Sequence, residues 1–165
     1  MLDNLGFAFE FGWTDVLLIA FSVFVLYKWF MKAKNPPLPP PEKSLPAMTK
    51  RDMTVEELLE YDGKKNERIL LALCGTIFDV TRGKAYYGPY GPYGKLAGHD
   101  ATRSLATMDV NNVRDEYDSL KDLKEEEMNE AREWYTSFTE KYPTVGRLLG
   151  PGEEPKDYGD EHASL

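Results

Sequence analysis

Three features of the chain predict an α+β domain, a small mixed sheet packed with helices, preceded by one transmembrane helix. Two short apolar runs, Arg68–Cys74 and Ile77–Val80, flank a Gly75-Thr76 turn and read as strands. An apolar repeat of helical period between Lys121 and Phe138 reads as an amphipathic helix. Ahead of both lies an uncharged apolar run that ends in a block of prolines.

Composition narrows the function classes. The 165 residues carry a formal net charge of −8, with no basic helix face and no zinc-spaced Cys/His set, which argues against nucleic acid as a partner. Cys74 is the only cysteine, so no intramolecular disulfide forms, in keeping with a reducing compartment. The two histidines are His99 and His162. No Ser/His/Asp set, carboxylate pair or phosphate-cradling glycine loop points to an enzyme.

The chain divides into five expected segments, the first of them an acidic N-terminal stretch over 1–10. Residues 11–31 form a transmembrane anchor of roughly 20 residues, with only Asp15 and Lys28 near its ends. A cleaved signal peptide is the rival, and the acidic stretch ahead of the run lacks its basic start. Lys28, Lys32 and Lys34 follow the run, so the positive-inside rule places the rest of the chain in the cytosol and the N-terminus outside or in the lumen. Residues 32–48 form a linker in which Asn35–Pro41 is extended, as consecutive prolines demand. Within it, Lys34-x-x-Pro37-x-x-Pro40 matches an SH3 ligand, and a plain spacer is the commoner role of such a segment.

Residues 49–149 form the domain. Thr54 and Glu57 make a capping-box pattern that opens a short helix through Tyr61, closed by Asp62-Gly63. The two strands follow, then the loop Tyr86–Gly94, whose repeated Tyr, Gly and Pro fix turns and project phenols from defined points. Asp100 is the expected N-cap of a helix carrying Ala101, Leu105 and Ala106. On the helix from Lys121 to Phe138, Met128, Ala131, Tyr135 and Phe138 share one face and the glutamates stay wet. Pro143 stops it, and Val145, Leu148 and Leu149 suggest a closing turn. Residues 150–165 read as an acidic disordered tail, with Tyr158 as a solvated tyrosine or a kinase substrate.

The order of helix, buried strand, "Gly-x-Ile-Phe-Asp-Val-Thr" at 75–81, tyrosine loop and "Ala-Gly-x-Asp-Ala-Thr-Arg-x-Leu-Ala" at 97–106 resembles the membrane-associated progesterone receptor family. Leu120–Leu123 and Phe138–Leu149 continue the match, which covers about residues 49–158. Members of that family carry a cytochrome b5-like haem/steroid-binding domain behind one N-terminal anchor. The resemblance implies a cytochrome b5-like fold, haem b (iron protoporphyrin IX) as cofactor and Tyr93 as the axial ligand of its iron. It also implies pocket hydrogen bonds from Tyr87 and Tyr142, and a propionate contact from Lys141. Tyr90 stands where relatives carry an acidic residue and competes with Tyr93 as ligand.

Cytochrome b5 itself clamps iron between two histidines, which this chain cannot do, since His162 lies in the tail and His99 just past the loop. A phenol titrates near pKa ~10 in water, yet ferric iron takes it as phenolate. Such a ligand stabilises Fe(III), predicts a low potential and leaves one haem face open for a ligand, a haem-stacked homodimer or a partner. The expected function is therefore a non-enzymatic, membrane-anchored haem-binding adaptor. By resemblance it modulates cytochrome P450s or membrane receptors in the endoplasmic reticulum, with the plasma membrane as the other setting. An electron-transfer partner of P450s and a haem-free, sterol-holding adaptor are the alternatives.

Overall fold

A computed structural model describes residues 18, 19, 21–28 and 45–164, and the chain divides into two units, 1–43 and 44–165. In the first unit, residues 21–28 are helical with exposed side chains. Among the described residues no helix is long and apolar enough to cross a membrane. Most of the span expected over 11–31, and all of the Lys34–Pro40 match, lie outside the described residues.

The second unit runs α1 (Val55–Leu58), β1 (Leu70–Leu73), β2 (Thr76–Asp79), α2 (Lys84–Tyr87), α3 (Thr102–Ala106), α4 (Glu125–Lys141) and β3 (Thr144–Arg147). Its sheet has the order β1-β2-β3 and is antiparallel throughout, not mixed. The reason lies in the β1–β2 turn. Leu73 pairs with Thr76, so the two turn residues are Cys74 and Gly75, one position earlier than Gly75-Thr76. Both hold positive φ, 49° and 77°, the backbone of a tight hairpin that returns the chain antiparallel. Among the described residues, parallel pairing survives only as single bridges, Met53 with Leu148 and Ala72 with Asp100.

Both faces of β1 are covered, which explains its unbroken apolar sequence. Leu70 and Ala72 join a cluster with Met53, Leu58, Ile77 and Val145. Ile69, Leu71 and Leu73 join the opposite cluster with Phe78, Leu96 and Phe138. The expected capping box is present at Thr54, whose side chain accepts from the Glu57 amide while Glu57 accepts from the Thr54 amide. Asp100 sits one residue ahead of the N-cap position of α3 and accepts from the Thr102 amide at 2.9 Å. On α4, Ala131 and Phe138 are buried, as their spacing requires. Where a closing turn was expected, Thr144–Arg147 instead forms β3, because β2 supplies the pairing that four residues with an internal glycine could not announce.

Between α3 and α4 the chain has no regular structure and is tied down by charge. Arg103 donates from Nε and Nη2 to Asp118 and from Nη1 and Nη2 to Asp122. Both the Arg103 and Asp118 side chains are buried, 7% and 4% exposed. Asp118 also accepts from the Leu120 amide, holding Leu120 at a φ of 56° that a leucine seldom adopts.

Residues 150–164, expected to be a disordered tail, return to the domain. Tyr158 donates its hydroxyl to Asp52 at 2.7 Å, His162 bridges Thr49, Ser164 bridges Thr144, and Ala163 enters the core. Acidic composition reads as solvated, yet the acids leave Tyr158 and Ala163 free to dock. Asp52 is the peg: its carboxylate also accepts from the Arg147 amide and guanidinium and from the Lys156 amide. Burial alone would raise its pKa, but these donors outweigh burial and hold it at about 2, against an ordinary 3.8.

Two predictions follow from these pegs. A depressed carboxyl stabilises the fold above its unfolded pKa and loses that contribution as pH falls through its folded pKa. Asp52→Asn should therefore cost about 2 kcal/mol at neutral pH and flatten the acid limb of a circular-dichroism unfolding curve between about pH 4 and about pH 2. Arg103→Met strands Asp118 in the interior, and urea unfolding should show a loss of about 3–5 kcal/mol.

Candidate functional site

The site is built on the loop between α2 and α3. Gly88 donates its amide to Lys84 O, Gly91 to Gly88 O, Tyr93 to Tyr86 O at 2.9 Å, and Leu96 to Tyr93 O. These bonds make the loop stiff, with a single 3-10 turn at Gly94–Leu96 as its regular element. Gly88, Gly91 and Gly94 do not use positive φ, contrary to the usual reason for glycine in turns. They are needed for close approach instead: a Cβ at Gly91 would strike the Tyr86 carbonyl, and one at Gly94 the Gly88 carbonyl.

That backbone brings three of the expected site residues onto one face. The Tyr87 ring lies 6.1 Å from that of Tyr93 and 6.0 Å from that of Tyr142, centroid to centroid. Phe138 backs them, 6.0 Å from Tyr87 and 5.2 Å from Tyr142. The helical period of α4 and its end at Tyr142 put Phe138 and Tyr142 four residues apart, which is why both reach the same place. Lys141 is exposed at the end of α4, beside Tyr142 in the chain.

The tyrosines differ in environment. Tyr93 is 40% exposed, and Tyr90 is fully exposed at the loop tip. Tyr87 is half-buried, and burial first, then the neighbouring Tyr142 hydroxyl, pushes its phenol well above the ordinary value of 10.0. It therefore stays protonated, able to donate to an anionic oxygen beside it.

Neither histidine belongs to this face. His99 is half-buried, with Nδ1 against the Ala97 carbonyl at 2.8 Å and Nε2 against Asp115 at 3.0 Å. His162 is in the returning tail. Among the described residues no group of three or more His, Cys, Asp or Glu could hold a bare metal ion. A phenol-bearing aromatic wall fits a planar cofactor better than it fits a lone cation.

Sequence reasoning missed Gly83. Its position is filled from the far side: a Cβ there would lie 2.9 Å from Tyr87 Cδ2 and 3.1 Å from the Tyr142 hydroxyl. The wall closes because this residue has no side chain, and nothing in "Thr-Arg-Gly" signals it.

Comparison with known proteins agrees with this architecture. The profile described as "Cytochrome b5-like Heme/Steroid binding domain" matches residues 54–149. Protein vem-1 of Caenorhabditis elegans is 49% identical over 152 residues, 92% of this chain and 82% of that relative. Human membrane-associated progesterone receptor component 2 is 57% identical over 123 residues, 73% of this chain but 55% of that relative, so the match spans about half its length. Cytochrome P450 regulator dap1 of Schizosaccharomyces pombe is 38% identical over 85% of this chain and 88% of its own. A solved Arabidopsis thaliana protein described as having a cytochrome b5 like fold aligns at a TM-score of 0.54 and 42% identity, over 60% of this chain and 91% of that one.

Gly83→Ala should cost about 1–3 kcal/mol by overpacking. The near-ultraviolet tyrosine signal should change while the far-ultraviolet spectrum is kept. Because the new methyl meets the Tyr142 hydroxyl, Tyr142→Phe in the same chain should recover part of the loss, giving a non-additive cycle.

Proposed function

Since this chain belongs to the cytochrome b5-like haem/steroid-binding domain family, we propose that it is a membrane-anchored, haem-binding regulatory adaptor whose iron is ligated by Tyr93. The observation that supports this is the convergence of Tyr93 and Tyr142 on Tyr87, with Tyr93 the accessible member beside the protonated Tyr87. In this reading Tyr93 provides the axial oxygen, Tyr87 and Tyr142 orient it, and Lys141 pairs with a propionate of iron protoporphyrin IX. Haem supplies a ferric centre that an anionic oxygen stabilises, with one face left to a ligand, a second copy of the complex or a partner. Hydrogen bonds from protonated phenols to that oxygen trim its basicity and hold its orientation.

The same reading makes residues 11–31 a single-pass anchor with the domain in the cytosol, in the endoplasmic reticulum or a related membrane. Cytochrome P450s are the proposed partners, because the fission-yeast relative is named as their regulator. Electron transfer is the weaker alternative. It needs iron that cycles readily, and neither His99 nor His162 stands on the tyrosine face to supply a b5-type ligand.

Haemin titration decides the proposal. The wild-type chain should bind saturably with a high-spin ferric, phenolate-type spectrum, and Tyr93→Phe should lose that spectrum and weaken binding by at least about tenfold. Wild type that ignores haemin, or a Tyr93→Phe variant with an unchanged spectrum, would overturn the assignment.

A further inference from the structure

A groove of about 740 Å³ opens between the loop and the segment after α3, and none of the tyrosines lines it. Its apolar wall is made by Pro89, Pro92, Ala97, Val110 and Val113. Polar groups stand at its margin: Lys64, Lys95, Asn111, His99 and Asp62.

The electrostatics of that margin are one-sided. Asp62 is the only carboxylate of the lining, and its Oδ1 is turned onto the Lys64 and Lys65 amides at 2.8 and 2.9 Å. Lys64 forms no ion pair among the described residues. Lys95 donates to the neutral Asn111 amide oxygen at 2.7 Å and has no carboxylate partner among the described residues. Two ammonium groups against one carboxylate thus border an apolar wall in a chain of net charge −8, where acids are plentiful elsewhere. His99, fixed between Ala97 and Asp115, keeps one margin rigid.

We propose that this groove binds a small amphipathic carboxylate. Its anion meets the ammonium groups of Lys64 and Lys95, with Asn111 as a neutral hydrogen-bonding neighbour, and its ring system or short acyl body lies on Pro92, Val110 and Val113. The volume suits a ligand of that size, and charge-assisted contacts with the exposed Lys64 and Lys95 at the rim set its orientation. The site is separate from the tyrosine face and does not depend on haem. Gly91 and Gly94 lie in its lining, so it shares a loop with Tyr93.

The test is a titration of naphthoate into the full, isotope-labelled chain without haemin, read from amide shifts. Lys95, Asn111 and Val113 should shift saturably. The neutral isostere naphthalenemethanol and the Lys64→Gln/Lys95→Gln variant should each bind at least about fivefold more weakly, with a gap that narrows in high salt. Val113→Asp, which brings a like charge to the wall, should abolish the shifts while the rest of the spectrum persists. Absence of saturation, equal affinity for the neutral isostere, or unchanged binding by the double lysine variant would each overturn the proposal. None of these outcomes bears on whether Tyr93 ligates iron.

Discussion

The pairing of the buried Arg103 with the buried Asp118 and the exposed Asp122 is the constraint on which the rest of the domain depends. From Thr107 to Lys124 the chain makes no regular element, yet it must carry α4 back across the sheet. One guanidinium, held by two carboxylates, closes that path and makes the αL conformation of Leu120 tolerable. Burial makes the Arg103–Asp118 pair unforgiving, because losing either of these two leaves a charge in a region that water hardly reaches. Position follows from it: α4 brings Phe138 and Tyr142 to Tyr87, and the same segment places Val110 and Val113 on the groove.

Much of this was legible in the chain, for identifiable reasons. Local chemistry announced itself where it was self-contained. Thr54 and Glu57 cap each other, and the face of α4 that carries Ala131 and Phe138 repeats at the helical period. The β1–β2 hairpin was visible from its apolar runs, but its turn was misplaced by one residue. Cys74 adopts positive φ there, a conformation no cysteine advertises, and its amide is satisfied by the Thr102 hydroxyl at 2.8 Å. β3 and the returning tail were missed because their stabilisation is entirely non-local. Thr144–Arg147 is a strand only beside β2, and the tail is held by partners about a hundred residues away in the chain, Asp52 and Thr49 among them.

The candidate site shows the same division. Tyr87, Tyr93, Lys141 and Tyr142 were singled out by resemblance, and the structure gathers the three tyrosines through the ring contacts of Tyr87, with Phe138 behind Tyr87 and Tyr142. What could not be read was the role of absence. Gly83 lets Tyr87 and Tyr142 converge, while Gly91 and Gly94 let the loop fold on itself, all by lacking a Cβ. Glycine in a loop suggests backbone freedom; here three of them serve tight packing, and the loop is stiff because of them.

Stiffness matters for the chemistry proposed at the loop. Tyr93 is accessible, so its ring could otherwise sample many positions, but its amide is tied to Tyr86 and its carbonyl to Leu96. A ligand oxygen delivered by such a backbone needs little ordering at the moment of binding, which favours affinity without new contacts. Tyr87 complements it through the opposite property. Its burial keeps the phenol protonated, so a donor stands beside the place where an anionic oxygen would be formed. Two neighbouring tyrosines thus differ by environment alone: in the proposed role the exposed Tyr93 would offer its oxygen to the metal, and the half-buried Tyr87 would stand beside it as a protonated donor.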